Sequence, residues 1–397
     1  MKKLLTLFLL TLSLPSLAQI KEGLWRGELV LHDTISLPFN FSVKGNIATI
    51  HNGDERIHAT ITQKKDSAVI SMPVFGTTIT VLPDELLLSG EFFNSTRKDQ
   101  NHISFRALYG DHFRFSDRPE VPKGDITGNW EATFDDEDDD NKTAVGIFKQ
   151  EGARVTGTFL TATGDYRFLE GELSGNQLSL SAFDGSHAFL FTAELKNGEL
   201  KNGHFFSGIH YHETWSAHRN DSVKLKDERS FTFLKPGYSK VEFSLPDLNG
   251  NQVTLNDPMF KGKAVIIQIM GSWCPNCMDE TRFLSEWYNK EKPTDLIIVG
   301  IDYERITKED YVKAAIKRLK DRFNIEYPIL FGGTSDKEQA AKTLPMLNRI
   351  LGYPTSIYID KHGNVREIHT GFNGPATGEL YEKFKIEFEN LTNELRK

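Results

Sequence analysis

The chain's 397 residues contain two cysteines, and these stand three positions apart in Cys274-Pro275-Asn276-Cys277. Thiols can staple a fold, hold a soft metal, or cycle between dithiol and disulfide. A staple framework needs more cysteines at longer separations, and a zinc site needs two further soft ligands where no second cysteine pair exists. The spacing therefore points to redox exchange. The nucleophile in exchange is a thiolate, so the electrostatics around the first sulfur decide what the pair can do.

Those electrostatics depend on the elements that carry the motif. The apolar run Ala264 to Met270 leads through Gly271-Ser272-Trp273 into it, and Met278 to Trp287 follows with helical spacing. Cys274 is thus expected at a strand-to-helix turn, where unpaired amides and the helix dipole favour negative charge. That makes Cys274 the attacking sulfur and Cys277, one turn deeper and shielded by the helix, the resolving one. Glu280 lies three residues after Cys277, on a similar face one turn along. It is a general base only if burial raises its pKa; otherwise it is an exposed helix acid.

Further along, an α/β alternation is expected. Leu296 to Ile301 reads as a strand buried on both faces, Thr307-Lys308-Glu309-Asp310 as the cap of a helix with Tyr311, Ala315, Leu319 and Phe323 on one side, and Tyr327 to Phe331 as a strand. Ser335-Asp336-Lys337-Glu338 opens a helix that Pro345 bends or ends. Thr355 to Asp360 and Val365 to His369 form a closing hairpin before a last helix over Leu380 to Leu391. Ahead of the motif, Val241 to Leu255 forms two short strands around Asn249-Gly250.

Residues 19 to 222 differ in character, with short apolar runs between Gly, Asn and Asp turns and no helical period. Gly23-Leu24-Trp25 recurs as Gly128-Asn129-Trp130, and the stretch from Leu86 to Phe93 is answered by Gly198 to Phe206. Two similar β units, barrel or sandwich, are expected at 19–122 and 123–222. The polar segment 223–239 reads as a linker to the region 240–397. Gly-x-Trp openings resemble lipocalin-type strands faintly; the β units are open to ligand binding, docking or spacing. The acidic run Asp135 to Asp140 reads as a solvated hairpin tip, since it lacks the glycine and distal glutamate of a calcium loop. His204, His210, His212 and His218 read as an exposed strand face, and no metal is expected.

Met1-Lys2-Lys3, the apolar run Leu4 to Leu12 and Pro15-Ser16-Leu17-Ala18 describe a secretory signal peptide over residues 1–18, with no cysteine after it to take a lipid. No later stretch approaches the roughly 20 apolar residues of a membrane helix. Loss of Lys2 and Lys3 takes the formal charge from −8 to −10. Such a chain has no electrostatic footprint for nucleic acid. An oxidising compartment, in a bacterium the periplasm, is expected.

Trp273-Cys274-x-x-Cys277 after an apolar strand, together with Gly352-Tyr353-Pro354-Thr355, resembles the thioredoxin fold, and within it the TlpA-like and ResA-like extracytoplasmic thiol-disulfide oxidoreductases. The resemblance covers about residues 240 to 397. It implies an α/β thioredoxin-like domain with a central mixed sheet behind the two all-β units, and an extra helical passage between the second and third strands. It implies that Pro354 is the cis-proline against the motif, and that Trp273, Pro275, Asn276, Tyr353 and Pro354 contact substrate. It also implies that Glu280 helps control thiol ionisation, the more so because Gln268 stands where the minimal pattern has a buried aspartate. Strong oxidants of this fold place histidine between the cysteines; Asn276 offers no charge, which favours a reductant. Without a cofactor of its own, such a reductant would be recharged by a membrane thiol donor of the DsbD or CcdA kind and would act on a disulfide-bonded protein such as an apocytochrome c. A peroxidase of the AhpC type needs Thr or Ser where Gly271 stands, and copper delivery of the SCO type needs a longer cysteine spacing despite His362 and His369. The alternative from another class is a β-domain binding module carrying a vestigial thioredoxin domain.

Overall fold

The computed structural model describes residues 19–32, 34–135 and 142–397. The leader expected over residues 1–18 and the acidic run beyond Asp135 lie outside the described residues. Eight antiparallel strands close into a first barrel: β1 (Gly23–His32), β2 (Ile35–Lys44), β3 (Ile47–Asn52), β4 (Glu55–Gln63), β5 (Ala68–Ser71), β6 (Thr78–Pro83), β7 (Leu87–Phe93) and β8 (His102–Tyr109). Strands β9 (Gly128–Phe134), β10 (Thr143–Glu151), β11 (Arg154–Thr161), β12 (Gly164–Asp165), β13 (Leu169–Ser174), β14 (Gln177–Phe183), β15 (Ala188–Lys196), β16 (Glu199–Ser207) and β17 (Tyr211–Arg219) build the second. It closes because β10 pairs with β11 as well as with β9, leaving β12 as a short addition to the edge of β11.

The repeat read in the sequence is a repeat of structure. Gly23 and Gly128 open β1 and β9 with φ of 132° and 120°, a region that suits glycine. The tryptophan two residues on is buried in each barrel and donates from Nε1 to a carbonyl four residues back: Trp25 to Lys21 at 2.9 Å, Trp130 to Ile126 at 2.8 Å. β7 and β16, the echoing pair, are each the seventh barrel strand.

An eight-stranded barrel is just wide enough for side chains to fill it. Trp25, Phe39, Phe41 and Phe105 do so in the first. Rings fill the second, with Phe191 stacked on Phe205 at 4.3 Å and on Phe159 at 4.8 Å. The barrels also share apolar packing, since Phe183 of β14 lies 4.6 Å from Phe39 of β2. Arg114, buried between them, donates to Ser181 of one and to the His51 carbonyl of the other.

After a short hairpin of β18 (Ser244–Pro246) and β19 (Gln252–Thr254), the C-terminal region runs β20 (Ala264–Met270), α1 (Pro275–Glu291), β21 (Leu296–Glu304), α2 (Glu309–Phe323), β22 (Ile329–Thr334), α3 (Lys337–Thr343), β23 (Thr355–Ile359), β24 (Val365–Thr370), α4 (Glu379–Leu395). The sheet order is β22-β21-β20-β23-β24, with β20 to β22 parallel and the last two antiparallel. This is the mixed sheet of a thioredoxin-like fold, with β20 central and every residue of β20 and β21 buried.

Two local expectations change. Thr307 does not cap α2: the N-cap is Lys308, with no side-chain hydrogen bond, while Glu309 and Asp310 supply negative charge to the first turn. Segment 223–239 is not a free tether, because Phe231 and Thr232 are buried, Thr232 Oγ1 accepts from Thr370 Oγ1 at 2.9 Å and Lys235 N donates to Met346 O at 2.8 Å. Among the described residues, no helix is long and apolar enough to cross a membrane.

Candidate active site

β20 delivers the chain into Gly271-Ser272-Trp273, and Cys274 becomes the N-cap of α1 with extended backbone (φ −100°, ψ 112°). Pro275 follows at the first helical position, where a missing N–H costs nothing. The Cys274 Sγ takes the role usually held by a serine or aspartate oxygen, accepting from Cys277 N at 3.3 Å. Both cysteines are free thiols; Cys277 is fully buried and Cys274 is 7% exposed. Burial, and then the adjacent Cys274 sulfur, push the Cys277 thiol well above its ordinary range. One sulfur therefore sits at the helix end while the other is held as a protonated thiol behind it.

The Tyr353–Pro354 peptide is cis. It brings the Tyr353 carbonyl within 3.5 Å of Cys274 Sγ, which donates to it. The Tyr353 ring stands edge-on to Trp273 at 5.5 Å, and its hydroxyl donates to Ser335 O.

Glu280 is 2% exposed, on the inner face of α1. Its Oε2 accepts from Gln268 Nε2 and its Oε1 from Ser356 Oγ, both at 2.8 Å. Burial lifts its carboxyl to about 7, and the two hydrogen bonds offset only part of that. Gln268 also reaches toward Cys277 O at 3.5 Å and accepts from Thr281 Oγ1. Gln268 thus positions a proton-carrying neighbour in place of carrying the proton itself.

A second acidic pair escaped the sequence reading. Ser272 N points at Asp302 Oδ1 (3.2 Å) and Glu304 Oε1 (3.0 Å), both fully buried at the end of β21. Burial raises both carboxyls, and Glu304 adds to the effect on Asp302. Like charges so close cannot both ionise cheaply, so the pair retains a proton. The signal was available: two acids two residues apart inside the otherwise apolar run of β21 share one face of a strand buried on both sides.

The second barrel also enters the site, which no local pattern announced. Asn276 Nδ2 donates to Asp165 O at 3.0 Å, Gly374 N donates to Asp165 Oδ2 at 2.6 Å, and Ser186 Oγ donates to Trp273 O at 3.1 Å. Close approach is possible because glycines meet there: a Cβ on Gly164 would lie 2.2 Å from Asn276 Nδ2, and one on Gly352 2.6 Å from Thr163. Beside this contact Arg167 is buried among Glu55 of the first barrel, Asp184 of the second and Asp279 of α1. Burial works against its charge, but Glu55, Asp184 and Asp165 outweigh it and raise its pKa.

The structure thus gathers Trp273, Cys274, Pro275, Asn276, Cys277, Glu280, Tyr353 and Pro354 around one end of the sheet. The His204 and His212 side chains pair with each other at 3.0 Å. His210 instead turns to Gln100 of the first barrel. Among the described residues, no three metal-ligating side chains share a site.

This constellation defines the C-terminal region as a thioredoxin-like domain of the thiol-disulfide oxidoreductase kind, and residues 235–382 match the Redoxin family. The thiol-disulfide oxidoreductase ResA of Halalkalibacterium halodurans is 27% identical over 155 residues, which cover 38% of this chain and 77% of that protein. ResA of Bacillus thuringiensis is 28% identical over 152 residues, with the same shares of 38% and 77%. A solved thiol-disulfide oxidoreductase from Bacteroides fragilis is similar over 37% of this chain and 99% of its own, at 22% identity and a TM-score of 0.29.

Proposed function

We propose that this protein is a secreted, periplasmic reductant of protein disulfides. The observation that carries the reading is the asymmetry of the pair: Cys274 caps a helix beside the Tyr353 carbonyl, while Cys277 is fully buried behind it. In the proposed reaction the Cys274 thiolate attacks a substrate disulfide, and one substrate sulfur leaves and takes a proton. Cys277 gives its proton to Glu280 and attacks Cys274, forming the Cys274–Cys277 disulfide and releasing the second substrate sulfur. Two electrons pass from the dithiol to the substrate. Glu280, with a carboxyl near 7, is matched to accept and return a proton at neutral pH.

Trp273, Pro275, Asn276, Tyr353 and Pro354 form the proposed substrate contacts. An uncharged Asn276 between the sulfurs supports the reducing direction, and a membrane thiol donor of the DsbD or CcdA kind would restore the dithiol. Disulfide-bonded apocytochrome c is the candidate substrate that the resemblance to the TlpA-like and ResA-like branch implies. The test is dithiothreitol-driven turnover of a disulfide substrate by the full chain and by Cys274→Ser. Loss of turnover in the variant supports the reading, and unchanged turnover refutes it. A reduction potential near −270 mV supports a reductant and one near −120 mV an oxidant.

A further inference from the structure

Two guanidiniums and an imidazole from three separate parts of the chain meet beside the redox motif. Arg305, the residue after β21, lies over the Trp273 ring with its guanidinium carbon 4.0 Å from the centroid, within electrostatic reach of Cys274. Arg97 comes from the β7–β8 loop of the first barrel, and His210 from the β16–β17 turn of the second. Both line one small recess with Ser186, whose Oγ binds the Trp273 carbonyl. The Arg97 loop is built to hold that place. Asn94 N donates to Asn101 O across its base, Asn94 Oδ1 accepts from Thr96, and Ser95 Oγ donates to Gly76 O.

These groups are short of negative partners. The chain carries 55 acidic and 47 basic residues, so carboxylates are in excess. Even so, among the described residues neither Arg97 nor Arg305 makes an ion pair, although buried Glu304, its neighbour in the chain, and Cys274 favour the Arg305 charge. Burial and then Arg305 depress Arg97 to about 10; burial and then the two arginines push His210 down to about 4, so it is neutral at physiological pH. A carboxylate entering between the guanidiniums would relieve their mutual repulsion and meet planar donors suited to it.

We propose that Arg97 and Arg305 form a carboxylate-recognition site beside Cys274, with His210, held to Gln100, as a wall of the recess, selecting disulfides that carry an acidic group next to the bonded sulfur. This rests on the oxidoreductase reading and adds the substrate class to it. Such a carboxylate can belong to an acidic residue of a peptide chain or to a small disulfide such as oxidised glutathione.

The test uses the full chain with dithiothreitol and a pair of disulfide-linked peptides that differ in glutamate or glutamine beside the cysteine. A parallel arm compares oxidised glutathione with its carboxyl esters. The expected preference for the acidic partner is about tenfold in kcat/KM, weakening severalfold at high salt. The acidic-to-neutral ratio falls to about twofold in Arg97→Gln and in Arg305→Gln, and Arg97→Glu reverses it toward a lysine-flanked peptide. A preference in either arm supports the site and names the source of the carboxylate. Equal rates across charged and neutral partners overturn the site and leave the oxidoreductase reading standing, whereas no turnover of any disulfide overturns both.

Discussion

Replacing Glu280 by glutamine is expected to stabilise the reduced C-terminal domain in a pH-dependent way. The carboxyl lies among Gln268, Ser356 and the floor of α1, and burial lifts it from 4.5 to about 7. The folded protein therefore holds a proton that the unfolded chain releases near pH 4.5. The stabilisation from that proton is complete below 4.5, shrinks as pH rises, and is gone above 7, a loss on the order of 3 kcal/mol. Glutamine has the same shape and no charge to desolvate. Its oxygen can accept from Gln268 Nε2 while its amide donates to Ser356 Oγ, a hydroxyl able to reverse its role. Glu280→Gln should match the wild type near pH 4.5 and exceed it by about 3 kcal/mol at pH 8. Urea unfolding under dithiothreitol, followed by helical circular dichroism, reports on the right part of the molecule, because α1 to α4 all lie C-terminal to the barrels. Parallel stability curves for the two proteins across this pH range would refute the burial argument, and so would a variant less stable at pH 8.

Four other outcomes are expected. Cys277→Ser should accumulate a mixed disulfide between Cys274 and a peptide substrate, seen by mass spectrometry, while Glu280→Gln slows the resolving step by about 100-fold at pH 7 in stopped-flow assays. Arg167→Met leaves Glu55, Asp184 and Asp279 without their shared cation and should cost about 3–5 kcal/mol, with faster limited proteolysis between the barrels and the C-terminal domain. Gly164→Val places a side chain where Asn276 Nδ2 already sits, at a φ of 128°, and should raise the rate of Cys274 alkylation by iodoacetamide severalfold as the loop is forced away.

What the sequence disclosed was local. The apolar run of β20, the proline after Cys274 and the helical spacing beyond it are consecutive, so strand, turn and helix follow from short-range chemistry. The duplicated Gly-x-Trp openings were equally plain, because each depends on a bond to a carbonyl only four residues away. Barrel closure was not legible, since the first strand meets the last, β1 with β8 and β9 with β17, only after the intervening sheet has wound round, and a half-buried strand reads alike in sandwich and barrel. The ions around Arg167 were hidden for a similar reason: Glu55 and Asp279 lie more than a hundred residues away on either side, and one arginine in a polar turn carries no mark of its partners. Gln268 showed that the minimal thioredoxin pattern was broken, but only the packing showed that it steadies Glu280.

The matching tryptophan plugs and strand orders make the two barrels versions of one eight-stranded plan that differ in several connections, one of which bears on the site. Between its third and fourth strands the first barrel keeps the two-residue turn Gly53-Asp54, whereas the second carries an excursion over 162–168 that includes β12. The barrel next in sequence to the redox domain is the one with the longer connection there. That connection carries Gly164, Asp165 and Arg167 onto the cysteine-bearing helix, so a change of length there should reach the thiols while a change in the barrel walls leaves them undisturbed.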